Sequence, residues 1–275
     1  TTTPSRTPTH KTETYTIPAE PTSPIQYAHP AITALTLNTR GMHTTILDLQ
    51  RILDNNPDPH IIALTETKHR HIKSIWRHTL KNYKLIYNPS HYDKLTQRCS
   101  GGTILAIYKN AYPAIKPIHI PSQYQPYLAI ALLTPRTGSD ILAIAAYLPQ
   151  HQTRKDTQTY QDTLQWLQTL LIMEHAHTPV LLGGDLQATP SPQHDSFHKT
   201  LADFVMHTQL HHLGDPHTPT YSPTNTPVDH WLMRIPTETH QPQPTTTTAI
   251  PTEFSDHKAL LADIPQIGEL APDPP

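Results

Sequence analysis

An α/β domain containing two stacked sheets is the fold class that this 275-residue sequence predicts, and three observations carry it. Short apolar runs of strand length recur along most of the chain, helical periodicity is confined to a few segments, and the opening of the patterned region reads strand, helix, strand with a short connection, the signature of a parallel unit. The patterned region extends from about residue 31 to 264 and is expected to fold as one domain.

Residues 1 to 30 are Thr, Pro and scattered charge with almost no periodic apolar pattern. Such a segment cannot bury enough surface to offset its ordering entropy and is expected to be a disordered arm. The first residue is Thr1, not Met, so a fragment or processed product of something longer is expected. From Ala31 the character changes. Ile32 to Leu37 is a short apolar strand, and Met42 to Leu53 carries Ile46, Leu47, Leu49, Ile52 and Leu53 at helical spacing until Pro57 and Pro59 stop it. His60 to Leu64 is a second buried strand. Further strands are predicted at Thr103 to Tyr108, Leu128 to Leu133 and Ile141 to Leu148. A long helix follows from about Asp156 to Ala176, with Leu164, Leu167, Leu170 and Leu171 as its buried stripe. Val180 to Leu182 is a strand that ends on Gly183-Gly184, a helix follows around Leu201 to Leu210, and short strands are expected at Thr220 to Tyr221, Val228 to Met233 and Lys258 to Ile264. Pro236 to Thr252 reads as a surface loop or an irregular edge strand, and residues 265 to 275 as a disordered tail.

Composition excludes several classes. A disulfide scaffold needs paired cysteines, and Cys99 is the chain's one cysteine, with nothing beside it to activate it. No run reaches the ~18 apolar residues of a bilayer span, and no apolar signal core opens the chain, so neither a membrane span nor secretion is expected. The 30 Pro and 8 Gly stay below the roughly 25–30% of a low-complexity chain. A formal charge of −2 argues against a generally basic coat for nucleic acid, though not against a local basic face. The 21 His read mostly as compositional background. His211-His212 and His69 to His71 read as solvated surface, and no independent structural zinc site is expected because paired ligand spacing is missing.

The informative residues are polar ones placed where buried strands run out, since ligands of α/β sheets bind at strand ends. Asn38 follows Leu35-Thr36-Leu37, Glu66 follows Ile61 to Thr65, and Asp185 follows Val180 to Gly184, while Asp229 and Asp256 lie next to the last two strands. Carboxylates in such places are costly to desolvate unless a positive group balances them. A hard divalent cation suits them: Mg²⁺ takes one or two carboxylates and leaves room for phosphate oxygens. Gly is scarce, yet four of the 8 fall in the doublets Gly101-Gly102 and Gly183-Gly184, the second directly before Asp185, where a bare backbone lets a bulky substrate approach. His257 is a potential acid or base with Asp229 as its candidate orienting carboxylate. Between Lys68 and Lys84 lie six Lys and Arg with no acid: either a solvated helix face with Ile72, Ile75, Trp76 and Leu80 as its buried side, or phosphate-backbone contacts flanking Glu66.

Taken together, Thr36-Leu37-Asn38-Thr39-Arg40-Gly41, Leu64-Thr65-Glu66-Thr67-Lys68, Tyr147-Leu148-Pro149, Gly183-Gly184-Asp185-Leu186-Gln187-Ala188, Val228-Asp229-His230 and Phe254-Ser255-Asp256-His257 resemble the endonuclease/exonuclease/phosphatase (DNase I-like) superfamily. Within it the chain looks most like the apurinic-type endonuclease domain of LINE-type (non-LTR) retrotransposons. The resemblance implies a four-layer sandwich of two stacked mixed β-sheets flanked by helices. It also implies Mg²⁺, with Mn²⁺ as a substitute, and nicking of double-stranded DNA to leave a 3′-hydroxyl for target-primed reverse transcription. A downstream reverse transcriptase domain and a nuclear, in part cytoplasmic, location go with it.

By the same resemblance Glu66 is the direct metal ligand, with Asn38 and Asp256 assisting. Asp185 orients or deprotonates the attacking water, Tyr147 contacts the scissile phosphate, and His257, oriented by Asp229, stabilises the developing charge. Lys68, Arg70, Lys73 and Arg40 would contact DNA. One position departs from the family pattern: Gln187 stands where an Asn donating to the phosphate is usual. A small-molecule phosphoesterase acting on an inositol phosphate or phospholipid, and a binding module whose chemistry has faded, are the competing readings.

Overall fold

The computed structural model describes residues 32–41, 43–94, 97–136, 138–150, 153–190, 196–235 and 246–264; the arm expected over residues 1 to 30 and the tail expected from 265 lie outside them. In chain order the strands are β1 (Ile32–Asn38), β2 (Ile61–Thr65), β3 (Tyr83–Asn88), β4 (His91–Asp93), β5 (Arg98–Ser100), β6 (Thr103–Tyr108), β7 (Ala114–Pro117), β8 (Leu128–Thr134), β9 (Ile141–Tyr147), β10 (Val180–Asp185), β11 (His211–His212), β12 (Asp229–Arg234), β13 (Thr246–Ile250) and β14 (Ala259–Ile264). The helices are α1 (Thr45–Asn55), α2 (Ser74–Thr79), α3 (Arg154–Thr169) and α4 (Ser196–Thr208).

The first sheet has the order β13-β14-β1-β2-β6-β3 and the second β11-β12-β10-β9-β8-β7, while β4 and β5 form a separate ribbon. Each sheet has one parallel pair, β1 with β2 and β9 with β10, amid antiparallel neighbours. A parallel pair needs a crossover, which α1 supplies in the first sheet and α3 in the second. This gives the expected architecture of two stacked mixed sheets with helices outside. Ala34, Ala63, Ala131, Ala143 and Ala145 line the space between the sheets, small enough for close approach, and the Trp231 ring fills the remainder. Trp231 Nε1 donates to the Leu260 carbonyl at 3.2 Å and so ties the second sheet to the first. Leu35, Leu37, Leu49, Ile52 and Trp76 make the outer core under α1 and α2; Tyr160, Leu164, Leu167, Leu201 and Phe204 make the one under α3 and α4. No helix among the described residues is long and apolar enough to cross a membrane.

Several elements differ from expectation for identifiable reasons. The basic stretch from Lys68 to Lys84 is not one helix face: α2 has six residues, and the chain returns as β3, whose Tyr83-Lys84-Leu85-Ile86-Tyr87 is strand-forming by its aromatic and branched content. Ile75, expected inside, is 51% exposed. The long helix is α-helical to Thr169 and finishes as a π-helical turn, Leu170–Glu174. Its carbonyls meet Arg234, a buried side chain whose guanidinium donates to Leu171 O, Thr208 O, Thr178 O and His175 O. A cation fits there because the last carbonyls of a helix have no partner within it.

His212 is also not the solvated surface expected. Its Nε2 lies 2.7 Å from Nδ1 of His230, which is 1% exposed and holds the Ala188 carbonyl through Nε2 at 2.8 Å. With Nε2 of His230 as donor, Nδ1 must accept, so the pair requires a neutral His230. Burial first, and His212 second, lower the His230 pKa to about 3. A His lowered in the folded state binds fewer protons than the unfolded chain, so its contribution to stability is intact above about pH 6.5 and is lost as pH falls from there towards about 3. Urea unfolding at about pH 7.5 and about pH 5 should therefore show a loss of stability that is distinctly smaller in His230→Gln; an equal loss in both proteins would show that this pair does not titrate on unfolding.

Candidate active site

Strand register builds the site. Asn38 ends β1 opposite Thr65, so Asn38 and Glu66 emerge side by side from one parallel pair. Tyr147 ends β9 opposite Asp185 at the end of β10, and antiparallel β12 begins with Asp229 opposite Asp185. β14 runs antiparallel to β1, which returns the Ser255-Asp256-His257 segment to the end of β1. Ser255 Oγ donates to the Asn38 carbonyl at 2.8 Å and the His257 N–H donates to Ser255 Oγ at 3.1 Å, fixing that segment.

Asp185 is fully buried at the centre. Its Oδ2 accepts from Asn38 Nδ2 at 2.6 Å and Gln187 Nε2 at 2.5 Å, and its Oδ1 accepts from the Gln187 N–H at 3.1 Å. Burial first, then the Asp229 carboxylate, raise its pKa to about 8, with His257 and Asn38 opposing. Asp229 Oδ2 lies 2.8 Å from His257 Nδ1. Burial lowers the His257 imidazole, but the charge and hydrogen bond of Asp229, aided by Asp185 and Glu66, outweigh it and leave the pKa above its ordinary value. With Nδ1 donating to Asp229, the Nε2 edge is the one left for substrate. Tyr147 keeps its proton, because burial, then Glu66 and Asp185, push its pKa well above 10.

Glu66 sits at the rim, paired with Lys68 Nζ at 2.8 Å. Asp256 is ion-paired with Arg40 through Oδ2, and its Oδ1 is buried without a partner, as is Asp229 Oδ1. Ligand atoms of Asp185, Asp229 and His257 lie within 4.8 Å of one another, the one group of metal-ligand type among the described residues. Two adjacent buried carboxylates, of which Asp229 helps to raise the pKa of Asp185, unpartnered oxygens beside them and Glu66 at the mouth fit a hard divalent cation, which prefers oxygen donors and offsets such repulsion. The structure thus gathers Asp185, Asp229, His257, Asn38, Gln187 and Tyr147 directly, and brings in Glu66 through its field. Arg40 and Lys68 are engaged with acids. Arg70 lies over the Tyr92 ring at 5.6 Å, and Lys73 Nζ is 3.1 Å from His43 Nε2.

Backbone conformation independently marks the same place. Seven described non-glycine residues have positive φ, and four of them are Arg40, Glu66, Lys68 and Gln187. Such values are uncommon outside glycine and concentrate where function requires them. Sequence reasoning missed Tyr127, whose ring stacks near Tyr147 with centroids 6.4 Å apart, and Tyr221, whose ring centre is 4.9 Å from that of His257. It also missed Thr220, whose Oγ1 accepts from the Asp229 N–H at 3.0 Å. None of the three lies in a motif, so only tertiary contact reveals them.

The model of the Endonuclease/Exonuclease/phosphatase family matches residues 35–257. No curated protein matches the chain. Among solved structures, the endonuclease domain of TRAS1, a telomere-specific non-LTR retrotransposon, is similar with TM-score 0.59 and 13% identity, over 86% of this chain and 100% of that one. An AP endonuclease from Archaeoglobus fulgidus is similar with TM-score 0.57 and 17% identity, over 85% and 99%. An endonuclease/exonuclease/phosphatase from Beutenbergia cavernae reaches TM-score 0.64 at 13% identity, over 86% and 72%. These likenesses establish the fold.

Proposed function

The chain belongs to the endonuclease/exonuclease/phosphatase family, and on that premise we propose that it is a Mg²⁺-dependent DNA endonuclease that nicks one strand and leaves the 3′-hydroxyl used in target-primed reverse transcription of a non-LTR retrotransposon. The observation that carries the reading is the Asp229–His257 hydrogen bond set beside the buried Asp185 carboxyl. Water attacks phosphorus in line, Asp185 accepts its proton, and the bond to the 3′-oxygen breaks, the leaving oxygen taking a proton from solvent to become the 3′-hydroxyl. Charge builds on the equatorial oxygens, where the Nε2 edge of His257 and the Tyr147 hydroxyl are placed to donate. Glu66, with the Asn38 amide oxygen and Asp256, is the set that would hold the metal, which when bound polarises the phosphate and offsets its developing charge. Arg70 and Lys73, with Arg40 and Lys68 where these exchange acid for phosphate, would position the duplex without reading it. Double-stranded DNA, a downstream reverse transcriptase domain and a nuclear location are parts of this proposal.

Supercoiled plasmid provides the test. Nicking in Mg²⁺, none in EDTA, and extension of the nick by a DNA polymerase without prior end repair are expected. Intact plasmid together with hydrolysis of an inositol phosphate would overturn the reading in favour of a small-molecule phosphoesterase. Gln187 offers a separate prediction. Its amide folds back onto Asp185 with φ +55°; Asn tolerates that backbone and, one methylene shorter, is expected to leave its amide free for the phosphate. Gln187→Asn should nick several-fold faster; a slower variant would mean that the longer side chain already serves.

A further inference from the structure

A cavity of about 470 Å³ lies on the outer face of the first sheet, against edge strand β3 and next to α2. It is not part of the active site. Glu66 follows the end of β2 whose Leu64 pairs with Ile104, whereas Lys109 and Tyr83 lie at the opposite end, where Ile61 pairs with Ile107 and Tyr83 with Tyr108. At about 3.3 Å per residue the strand places roughly 15 Å between Glu66 and the Lys109 end; Tyr87, at the other end of the cavity, is level with Leu64 but two strands away across β6. Arg77, Lys81 and Lys109 line this cavity, no Asp or Glu does, and none of the three cations is paired with a carboxylate among the described residues. Lys109 Nζ donates to the Lys81 carbonyl at 2.6 Å, which holds two of the charges together.

The part of the floor open to a ligand is Leu85 and Tyr87 of β3. Tyr83, Leu85 and Tyr87 alternate on one face of β3. The Tyr83 hydroxyl is buried with no hydrogen-bond partner on a residue 4% exposed. Burial first, and the Asp58 carboxylate second, keep that hydroxyl protonated, so it is an unspent donor.

We propose that this cavity is a second nucleic-acid site, taking one nucleotide of an unpaired strand: phosphate against Arg77, Lys81 and Lys109, base against the half-buried Leu85 and Tyr87. Its volume is that of a ligand pocket, about 300–1,000 Å³. Cations combined with ring faces are the chemistry that binds single strands irrespective of sequence. A duplex does not fit the description, because its bases are stacked inside while this concave site offers ring contacts and charges together. The proposal stands apart from the nicking reaction and needs no metal.

Fluorescence anisotropy of a fluorescein-labelled decathymidylate in EDTA tests it, comparing the unmutated chain, Lys81→Glu/Lys109→Glu, and the charge-matched Arg136→Glu/Lys199→Glu, which alters exposed cations carried by the second sheet and its helices. The pocket variant should bind about tenfold more weakly or worse, with the salt slope reduced by roughly 1.4 for two lost phosphate contacts on a single strand. The control should stay within about twofold of the unmutated chain. Equal losses in the two variants, no loss in the pocket variant, or full displacement by inorganic phosphate alone would each overturn the proposal. Because binding is read without catalysis, failure of the nicking assay leaves this test intact.

Discussion

Asp185→Asn is expected to slow plasmid nicking by about a thousandfold, the scale of a lost general base, without lowering the stability of the fold at pH 7. The two expectations have one cause. Burial and the neighbouring Asp229 raise the Asp185 pKa from its ordinary 3.8 to about 8. An acid whose pKa is higher in the folded than in the unfolded state favours folding when protonated. That contribution is present at low pH and is lost as pH rises from about 4 towards about 8. Near neutrality the fold therefore holds a carboxyl that water would ionise more readily, and a neutral amide of the same shape removes that burden. Against it stands the bond from the Gln187 N–H to Oδ1, worth about 1 kcal/mol, because the amide nitrogen cannot accept there. The balance should leave the thermal midpoint unchanged or higher. Retained stability with lost nicking marks Asp185 as a residue kept for chemistry at a cost to the fold. A clear drop in midpoint would instead make it a structural acid, and nicking within about tenfold of the unmutated chain would remove it from the mechanism.

What was legible in the sequence follows a physical division. Central strands such as β1, β2, β9 and β10 are buried on both faces, so they read as unbroken apolar runs, and the polar residues at the ends of β1, β2 and β10 were visible as site candidates, whereas Tyr147 at the end of β9 came only from the family resemblance. Edge strands were legible only in part: β13 falls within the segment read as a surface loop or an irregular edge strand, whereas β7 and β11 were not foreseen. β13 is Thr-rich and exposed or half-buried at most positions, and β7 and β11 are short; such strands are polar because their outer edge faces water. The basic stretch after Glu66 misled for another reason. Charge density along a sequence does not encode direction: Arg77 on α2 and Lys81 in the turn after it line the outer-face cavity, while Lys84 on β3 donates to the Ile115 carbonyl at 2.7 Å. The histidines divided similarly: composition could not separate the solvated ones from His212 and His230, because their pairing joins β11 to β12 across 18 residues of chain.

Gly184→Ala is expected to cost the fold about 3 kcal/mol or more, and the reason joins the scarcity of glycine to the site. Gly184 has φ +148°, and a Cβ there would lie 1.9 Å from the carbonyl oxygen of Ala146 and 2.8 Å from its carbon. Those are backbone atoms of the parallel partner strand, in register with Gly184, so no side chain can rotate away and β9 must separate from β10. Overpacking a rigid core ordinarily costs about 1–3 kcal/mol, and here an unfavourable φ is added. Gly41→Ala isolates the second contribution: its φ is +107°, but a Cβ there meets nothing nearer than Lys68 Cδ at 3.7 Å. Urea unfolding followed by circular dichroism should place Gly41→Ala within about 1–2 kcal/mol of the unmutated chain and Gly184→Ala well below both; equal values for the two variants would show that the strands do not approach this closely. The separation falls between Ala146 and Gly184, one residue before Tyr147 and Asp185. On the proposed reaction, a Gly184→Ala protein recovered at low temperature should therefore nick far more slowly than its remaining folded fraction predicts, because the strand pairing that stabilises the second sheet also sets the distance between the Tyr147 hydroxyl and the Asp185 carboxyl.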